Sequence, residues 1–318
     1  VGIFDVSHMG RLYLTGTNTS GLMDWLVTND AFNLKVGRAR YALLCNENGG
    51  IIDDCIFYRL EDERYLLICN ASNRGKVVSW IKQWIDERFT GIELEDKTES
   101  TGMIAIQGPS AASMLNSCLR DGSSDMRSFS WRTSDIEGTI SFIGCTGYTG
   151  EEGFEIILPS TKSSPIWNLF CGKNAVPCGL GSRDVLRLEA GLPLHGNEID
   201  ENITPLEAGL DSFVRLDKDF IGADALRQQL KDGIPRRLVG LITEGKQIAR
   251  HGYTILREGK NVGQVTSGTY SPTLDRNIAL GYVPNQLATF GSIFQVNIRG
   301  SMIDAKVAEG PFYSRKQV

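Results

Sequence analysis

Asn46-Glu47-Asn48-Gly49-Gly50-Ile51-Ile52-Asp53-Asp54 is the stretch on which the reading of this chain turns. It has the form of a hairpin tip with two acids early in the returning strand. Asn48-Gly49 suits the positive-φ conformations of a tight reversal. Tyr41 to Cys45 leads in, and Ile51 to Tyr58 leads out. Strand side chains alternate between faces. Ile52, Asp54, Ile56 and Tyr58 are therefore expected on one face, and Ile51, Asp53, Cys55 and Phe57 on the other. Each row is apolar apart from one carboxylate. A strand buried on both sides does not carry two acids unless each has a partner. Two readings stay open from spacing alone. Either at least one acid lines a polar cavity, or both sit at the hairpin rim and meet solvent or backbone N–H groups.

Before the hairpin, Arg11 to Leu14 reads as a short strand, and Leu22, Met23, Leu26 and Val27 form one helical apolar face. The chain starts directly in strand-like sequence at Val1-Gly2-Ile3-Phe4-Asp5-Val6, with neither methionine nor a signal peptide, which reads as a fragment. After the hairpin, Tyr65 to Asn70 is another strand, and Asn70 or Ser72 can cap the helix that follows. Val77, Trp80, Ile81, Trp84 and Ile85 repeat at helical spacing, a stripe read as core packing. Thr101 to Gln107 is a strand, and Gly108-Pro109 opens a helix through Leu119. Arg120 to Ser128 reads as a loop. Gly147-Tyr148-Thr149-Gly150-Glu151-Glu152-Gly153 is a glycine-rich turn without the lysine of a phosphate loop, so close backbone packing is the expected role.

Ser182 to Gly191 is a marked helix, capped by Ser182 and stopped by Gly191. Glu189 lies in its last turn, against the helix dipole. That placement reads either as a site residue or as an exposed glutamate with no role. From about Arg236 onward short strands and turns replace helical periodicity. Residues 236–318 are therefore expected to form a separate all-β domain, a small barrel or jelly roll, behind an α+β region at 1–231.

The totals exclude some classes. A formal charge of -5 over 318 residues argues against a basic nucleic-acid binder. Seven scattered cysteines without a Cys-x-x-Cys pair fit reduced thiols in a cytosol-like compartment. His8, His195 and His251 are too far apart in sequence to suggest a metal centre, and no apolar run is long enough to span a membrane.

Phe4-Asp5-Val6-Ser7-His8-Met9, Asn46 to Asp54, Gly147 to Gly153, Arg187 to Gly191, Val265-Thr266-Ser267-Gly268 with Ser271-Pro272, and Gly281-Tyr282-Val283 occur in one order along the chain. In this the sequence resembles the aminomethyltransferases, the T-proteins of the glycine cleavage system, over essentially its whole length. The resemblance implies a three-lobed α+β fold around a central opening. It implies transfer of an aminomethyl carbon from the lipoyl arm of H-protein to tetrahydrofolate, with ammonia released. Tetrahydrofolate is then a co-substrate and H-protein a partner, with no metal, nucleic acid or membrane involved. The implied place is the cytoplasm, or the mitochondrial matrix in a eukaryote. A segment found before the first motif in these proteins is missing here.

The same resemblance implies roles for residues. Asp54 falls on the catalytic aspartate, which would orient the folate N-10, relay a proton and offset cationic character. Asp53 becomes a structural partner, held by backbone or a basic group. Glu189 matches a glutamate that accepts from the pterin edge. Asn70 and Tyr148 match positions near folate. Lys218 stands where an arginine often precedes Asp219-Phe220-Ile221-Gly222, leaving a point charge for the folate tail. Tyr313 would close the site. Two alternatives remain at this level: a folate-dependent demethylase with another methylated donor, and a non-catalytic folate-binding protein. Lys218-Asp219-Phe220 in place of that last class's Lys-Gly-Cys motif counts against it.

Overall fold

A computed structural model describes residues 1–120 and 125–315. The chain opens with strand β1 (Gly2–Asp5). Then come β2 (Gly10–Gly16), α1 (Thr19–Leu26), β3 (Ala39–Cys45), β4 (Ile51–Glu61), β5 (Arg64–Cys69), α2 (Arg74–Glu87) and β6 (Ile92–Asp96). Five of these strands form an antiparallel sheet in the order β3-β4-β5-β2-β6. Leu22, Met23 and Leu26 of α1 and Val77 and Ile81 of α2 bury against Leu12, Leu14, Phe57 and Leu67 on one face of it. Trp80, Trp84 and Ile85 flank that core part-buried, so the aromatic stripe is packing.

The second lobe holds β7 (Thr101–Gln107), α3 (Ala111–Asn116), β8 (Trp131–Ile136), β9 (Thr139–Gly144), β10 (Gly153–Pro159), α4 (Ser163–Gly172) and β11 (Val176–Pro177). Its sheet runs β11-β1-β7-β10-β9-β8, so the first strand of the chain is built into the second lobe. Leu115, Ile166 and Phe170 cover one face, over Ile104, Ile106 and Ile156. Alternation sends Met103, Ala105 and Ile157 to the other face, where they meet Tyr58, Leu66 and Ile68 of the first sheet. The two sheets thus pack back to back, each with its helices outside.

Helices α5 (Leu180–Glu189) and α6 (Ala223–Asp232) precede the third lobe. There β12 (Arg236–Thr243), β13 (Thr254–Arg257), β14 (Lys260–Ser271), β15 (Arg276–Pro284), β16 (Ile293–Ile298) and β17 (Ser301–Val307) close a barrel in the order β12-β15-β14-β13-β16-β17. Closure removes the sheet edges that a jelly roll would keep. The fold is α+β and three-lobed.

Local readings need correction in four places. At the hairpin tip only Gly49 has positive φ, at 81°. Asn46 does the rest: its Oδ1 accepts the N–H groups of Asn48 and Gly50, both at 3.0 Å. Helix α3 spans only Ala111–Asn116, because Ser117 Oγ donates back to Met114 O at 2.8 Å and competes with the helical ladder. Helix α5 starts at Leu180 behind Gly179, so Ser182 lies inside it and caps nothing. Asn70 gives no cap bond to the turn after β5, because its amide is used elsewhere. The loop read at Arg120 to Ser128 lies partly outside the described residues.

Candidate active site

The hairpin tip is locked under the segment that precedes the barrel. Ile51 N–H donates to Asp200 O and Ile203 O, both at 3.0 Å. A Cβ on Gly50 would stand 1.8 Å from Glu201 O, so only glycine permits this approach. Between Leu44 and Cys45 the register against β4 slips by one residue, leaving Ile52 unpaired as a bulge. The bulge overturns the expected rows at their start. Ile52 joins Cys55 and Phe57 in the helix-covered core, while Ile51 faces the segment around Ile199. Beyond it alternation holds, with Ile56 and Tyr58 between the sheets.

The two acids land at this bulge. Asp53 is 0% exposed and Asp54 is half-buried. Asp54 Oδ2 accepts the Tyr41 hydroxyl at 3.0 Å, and Oδ1 accepts Asn70 Nδ2 at 2.6 Å. Asp53 accepts Asn70 N–H at 2.9 Å, Asn70 Nδ2 at 2.8 Å and Asn73 Nδ2 at 2.9 Å. Of the two partners expected for Asp53, backbone or a basic group, the described residues supply a backbone N–H together with two side-chain amide donors, and no cation. Burial and the neighbouring Asp54 charge push the Asp53 carboxyl up to about 6. Burial also raises Asp54, against the pull of the Tyr41 and Asn70 hydrogen bonds and of His195. Burial and Asp54 together drive the Tyr41 hydroxyl well up, so it remains a donor. His195 Nε2 lies 3.4 Å from Ile51 O.

Tyr148 reaches this group from the glycine-rich turn. A Cβ on Gly153 would stand 2.6 Å from Ile106 O, so the turn does pack tightly on backbone. The Tyr148 hydroxyl donates to Pro193 O. Burial makes that hydroxyl a weaker acid than a free tyrosine, against the pull of Arg187 and with Asp54 and Glu198 adding to the effect. The Arg183 guanidinium lies 4.7 Å over the Tyr148 ring and has no hydrogen bond or ion pair among the described residues. Farther along the turn Glu151, half-buried, accepts the Tyr313 hydroxyl.

Glu189 has a different setting. It is 2% exposed, and its oxygens accept Ser271 Oγ at 2.5 Å and Thr273 Oγ1 at 3.0 Å from the barrel. Tyr313 N–H donates to its backbone oxygen at 2.7 Å. Two residues earlier, buried Arg187 pairs with Glu198 at 2.7 Å and donates to Ser267 Oγ at 2.8 Å. Both α5 side chains therefore tie the helix to the barrel lobe. Lys218 donates to Asp24 O and to Val27 O, the latter at 3.0 Å, and faces the Asp24 carboxylate at 3.4 Å. Its charge is engaged at the end of α1.

The structure thus brings together Asp54, Asn70 and Tyr148, and places Tyr313 at the far end of the same turn. Glu189 and Lys218 have partners within the protein, Glu189 on the barrel and Lys218 at the end of α1. Tyr41, Glu151 and Arg183 were missed from the sequence. For Glu151 the signal was present, because it sits inside a glycine-rich motif that was read only as a turn. Among the described residues no group of three or more His, Cys, Asp or Glu is placed to hold a metal ion.

Comparison with known proteins follows the same division of the chain. The GCVT N-terminal domain matches residues 1–218, and the glycine cleavage T-protein C-terminal barrel domain matches residues 236–314. An aminomethyltransferase of Thermosipho melanesiensis is 42% identical over 98% of this chain and 86% of its own length. One from Nostoc sp. is 44% identical over 98% of this chain and 84% of its own length. The crystal structure of glycine cleavage system aminomethyltransferase T from Bartonella henselae superposes with a TM-score of 0.92 at 33% identity, covering 98% of this chain and 86% of that one.

Proposed function

This chain belongs to the glycine cleavage T-protein family of aminomethyltransferases, and from that premise we propose how its own residues act. The donor is the aminomethyl group on the lipoyl arm of H-protein, and the acceptor is tetrahydrofolate. The carbon–sulfur bond breaks and the thiol of the dihydrolipoyl arm is regenerated. The carbon becomes bonded to folate N-5 and N-10, and the nitrogen leaves as ammonia.

The observation that carries this reading is the Asp54 carboxylate. It is part-exposed and fixed by one donor on each oxygen, Tyr41 on Oδ2 and Asn70 on Oδ1. In that place it orients the folate N-10, takes its proton and offsets positive charge on the transferring carbon. Tyr148 offers a ring face beside it. For the pterin edge, which presents a ring N–H next to an amino group, Glu151 is the better acceptor. Its carboxylate is half-buried, whereas both Glu189 oxygens already receive hydroxyls. Arg183, uncommitted over Tyr148, suits the anionic glutamate tail better than Lys218 does. Tyr313 covers Glu151 and closes that end.

The reaction is placed in the cytoplasm under this reading; no helix of the described residues is long and apolar enough to cross a membrane. The test is direct. Aminomethyl-loaded H-protein and tetrahydrofolate, mixed with the chain, should yield methylenetetrahydrofolate and ammonia in equal amounts. Folate binding without turnover would leave a binding protein, and turnover only with another methylated amine would favour a demethylase.

A further inference from the structure

Asp53 poses a problem that the reading of Asp54 leaves unsolved. It is 0% exposed, stands next to a second carboxylate, and touches no cation among the described residues. Such a group is costly to bury. Its contacts are three N–H donors, two of them from Asn70. Asn73, the third, is itself held, because the same amide donates to Ile52 O at 3.2 Å.

Building on the role given to Asp54 above, we propose that Asp53 is a positioning residue for the transfer: it sets which end of the Asn70 amide faces Asp54. An asparagine side chain has a donor end and an acceptor end of nearly one shape. Asp53 takes the Asn70 backbone N–H on Oδ2 at 2.9 Å and the side-chain amide on Oδ1 at 2.8 Å. The Nδ2 end is thereby held in the gap between the acids. One of its hydrogens goes to Asp53, and the other goes to Asp54 Oδ1 at 2.6 Å. The reversed amide would set a carbonyl oxygen against two carboxylate oxygens. Asp54 is therefore kept as an acceptor, aimed by Asn70 on one oxygen and by Tyr41 on the other. An asparagine at position 53 would lift this constraint. Its own N–H groups could face Asn70, turn that amide over, and direct a carbonyl oxygen at Asp54.

The test is a double-mutant cycle on the full chain with Asp53→Asn, Asn70→Ala and the pair. Three quantities are read: single-turnover transfer rate, dissociation constant for a reduced folate, and melting temperature. Asp53→Asn alone should slow transfer by about 10-fold or more, the scale of a small misplacement of a catalytic group. Folate affinity should move less than about 2-fold, and in the Asn70→Ala background the same substitution should change the rate by less than about 2-fold. Rate losses that multiply across the two sites, or an unchanged rate in Asp53→Asn, would overturn the proposal. If Asp53→Asn does not fold, Asn73→Ala enters the same cycle; it keeps the carboxylate and removes one donor. A smaller loss with the same non-additivity supports the role, and independent effects overturn it. Asp54→Asn separates the two levels. Full transfer in that variant rejects the reading of the hairpin itself, whereas loss of transfer with an additive cycle rejects only the role of Asp53.

Discussion

Replacing Glu189 by alanine should damage the joint between α5 and the barrel and leave folate binding nearly intact. The carboxylate receives Ser271 Oγ at 2.5 Å and Thr273 Oγ1 at 3.0 Å. Thr273 is exposed and recovers a partner from water; Ser271 is 0% exposed, so its O–H loses its acceptor and only the bond from Leu274 N–H at 3.1 Å remains. A buried hydroxyl stranded in this way, with the loss of a charged acceptor, costs about 2–3 kcal/mol. For a chain of this length that corresponds to roughly 3–5 °C in melting temperature. Glu151→Ala should show the reverse pattern. It removes a half-buried acceptor at a turn, with a small change in melting. One hydrogen bond to a charged acceptor is worth about 1.5–3 kcal/mol, so folate affinity should fall at least tenfold. Calorimetric titration with a stable reduced folate and thermal melting separate the two variants. A Glu189→Ala protein that melts normally but binds folate more than tenfold worse would refute the assignment and return the pterin to Glu189.

Two further outcomes are expected. Arg183→Ala should weaken folate binding in a salt-sensitive way, while Lys218→Ala should lower melting and leave affinity unchanged, as titration and melting of both would show. Asp53 should also leave a pH signature in stability. Its folded-state value is pushed up to about 6, above that of an unfolded carboxyl. A raised value means that the folded state holds the proton more tightly, so its contribution is full at low pH and is lost as pH rises through about 6. The stability of the native chain relative to Asp53→Asn should therefore decline between pH 4.5 and 7, by on the order of 2–3 kcal/mol. Denaturant titrations across that range check it, and a flat or rising difference contradicts the cause assigned to the shift.

What could be read without coordinates was what repeats locally. The stripe of Val77, Trp80, Ile81 and Trp84 marks a helix face, and the short strands after Arg236 mark an all-β lobe, because period alone decides both. The hairpin was legible for another local reason, the turn residues Asn48-Gly49 between two strand-like runs. The bulge at Ile52 was not. It is a backbone choice stabilised by Asp200 and Ile203, about 150 residues away, and nothing in Ile51-Ile52 announces it. The partners of Glu189 were hidden for a related reason. Its place against the helix dipole is offset by Ser271 and Thr273, more than 80 residues later. Lys218 has the same history, since Asp24 and Val27 lie at the opposite end of the chain. Nor could β1 be assigned to the second lobe, since chain order sets it beside the first.

Under the proposed function Asp54 performs the acid–base work of the transfer, and one substitution tests it most directly. Asp54→Asn keeps the size of the side chain and removes its ability to take a proton or offset a cation. Single-turnover transfer from aminomethyl-loaded H-protein to tetrahydrofolate should slow by roughly 10²–10⁴-fold, with melting temperature and folate affinity close to those of the native chain. An Asp54→Asn protein that transfers the carbon at the native rate would contradict the account.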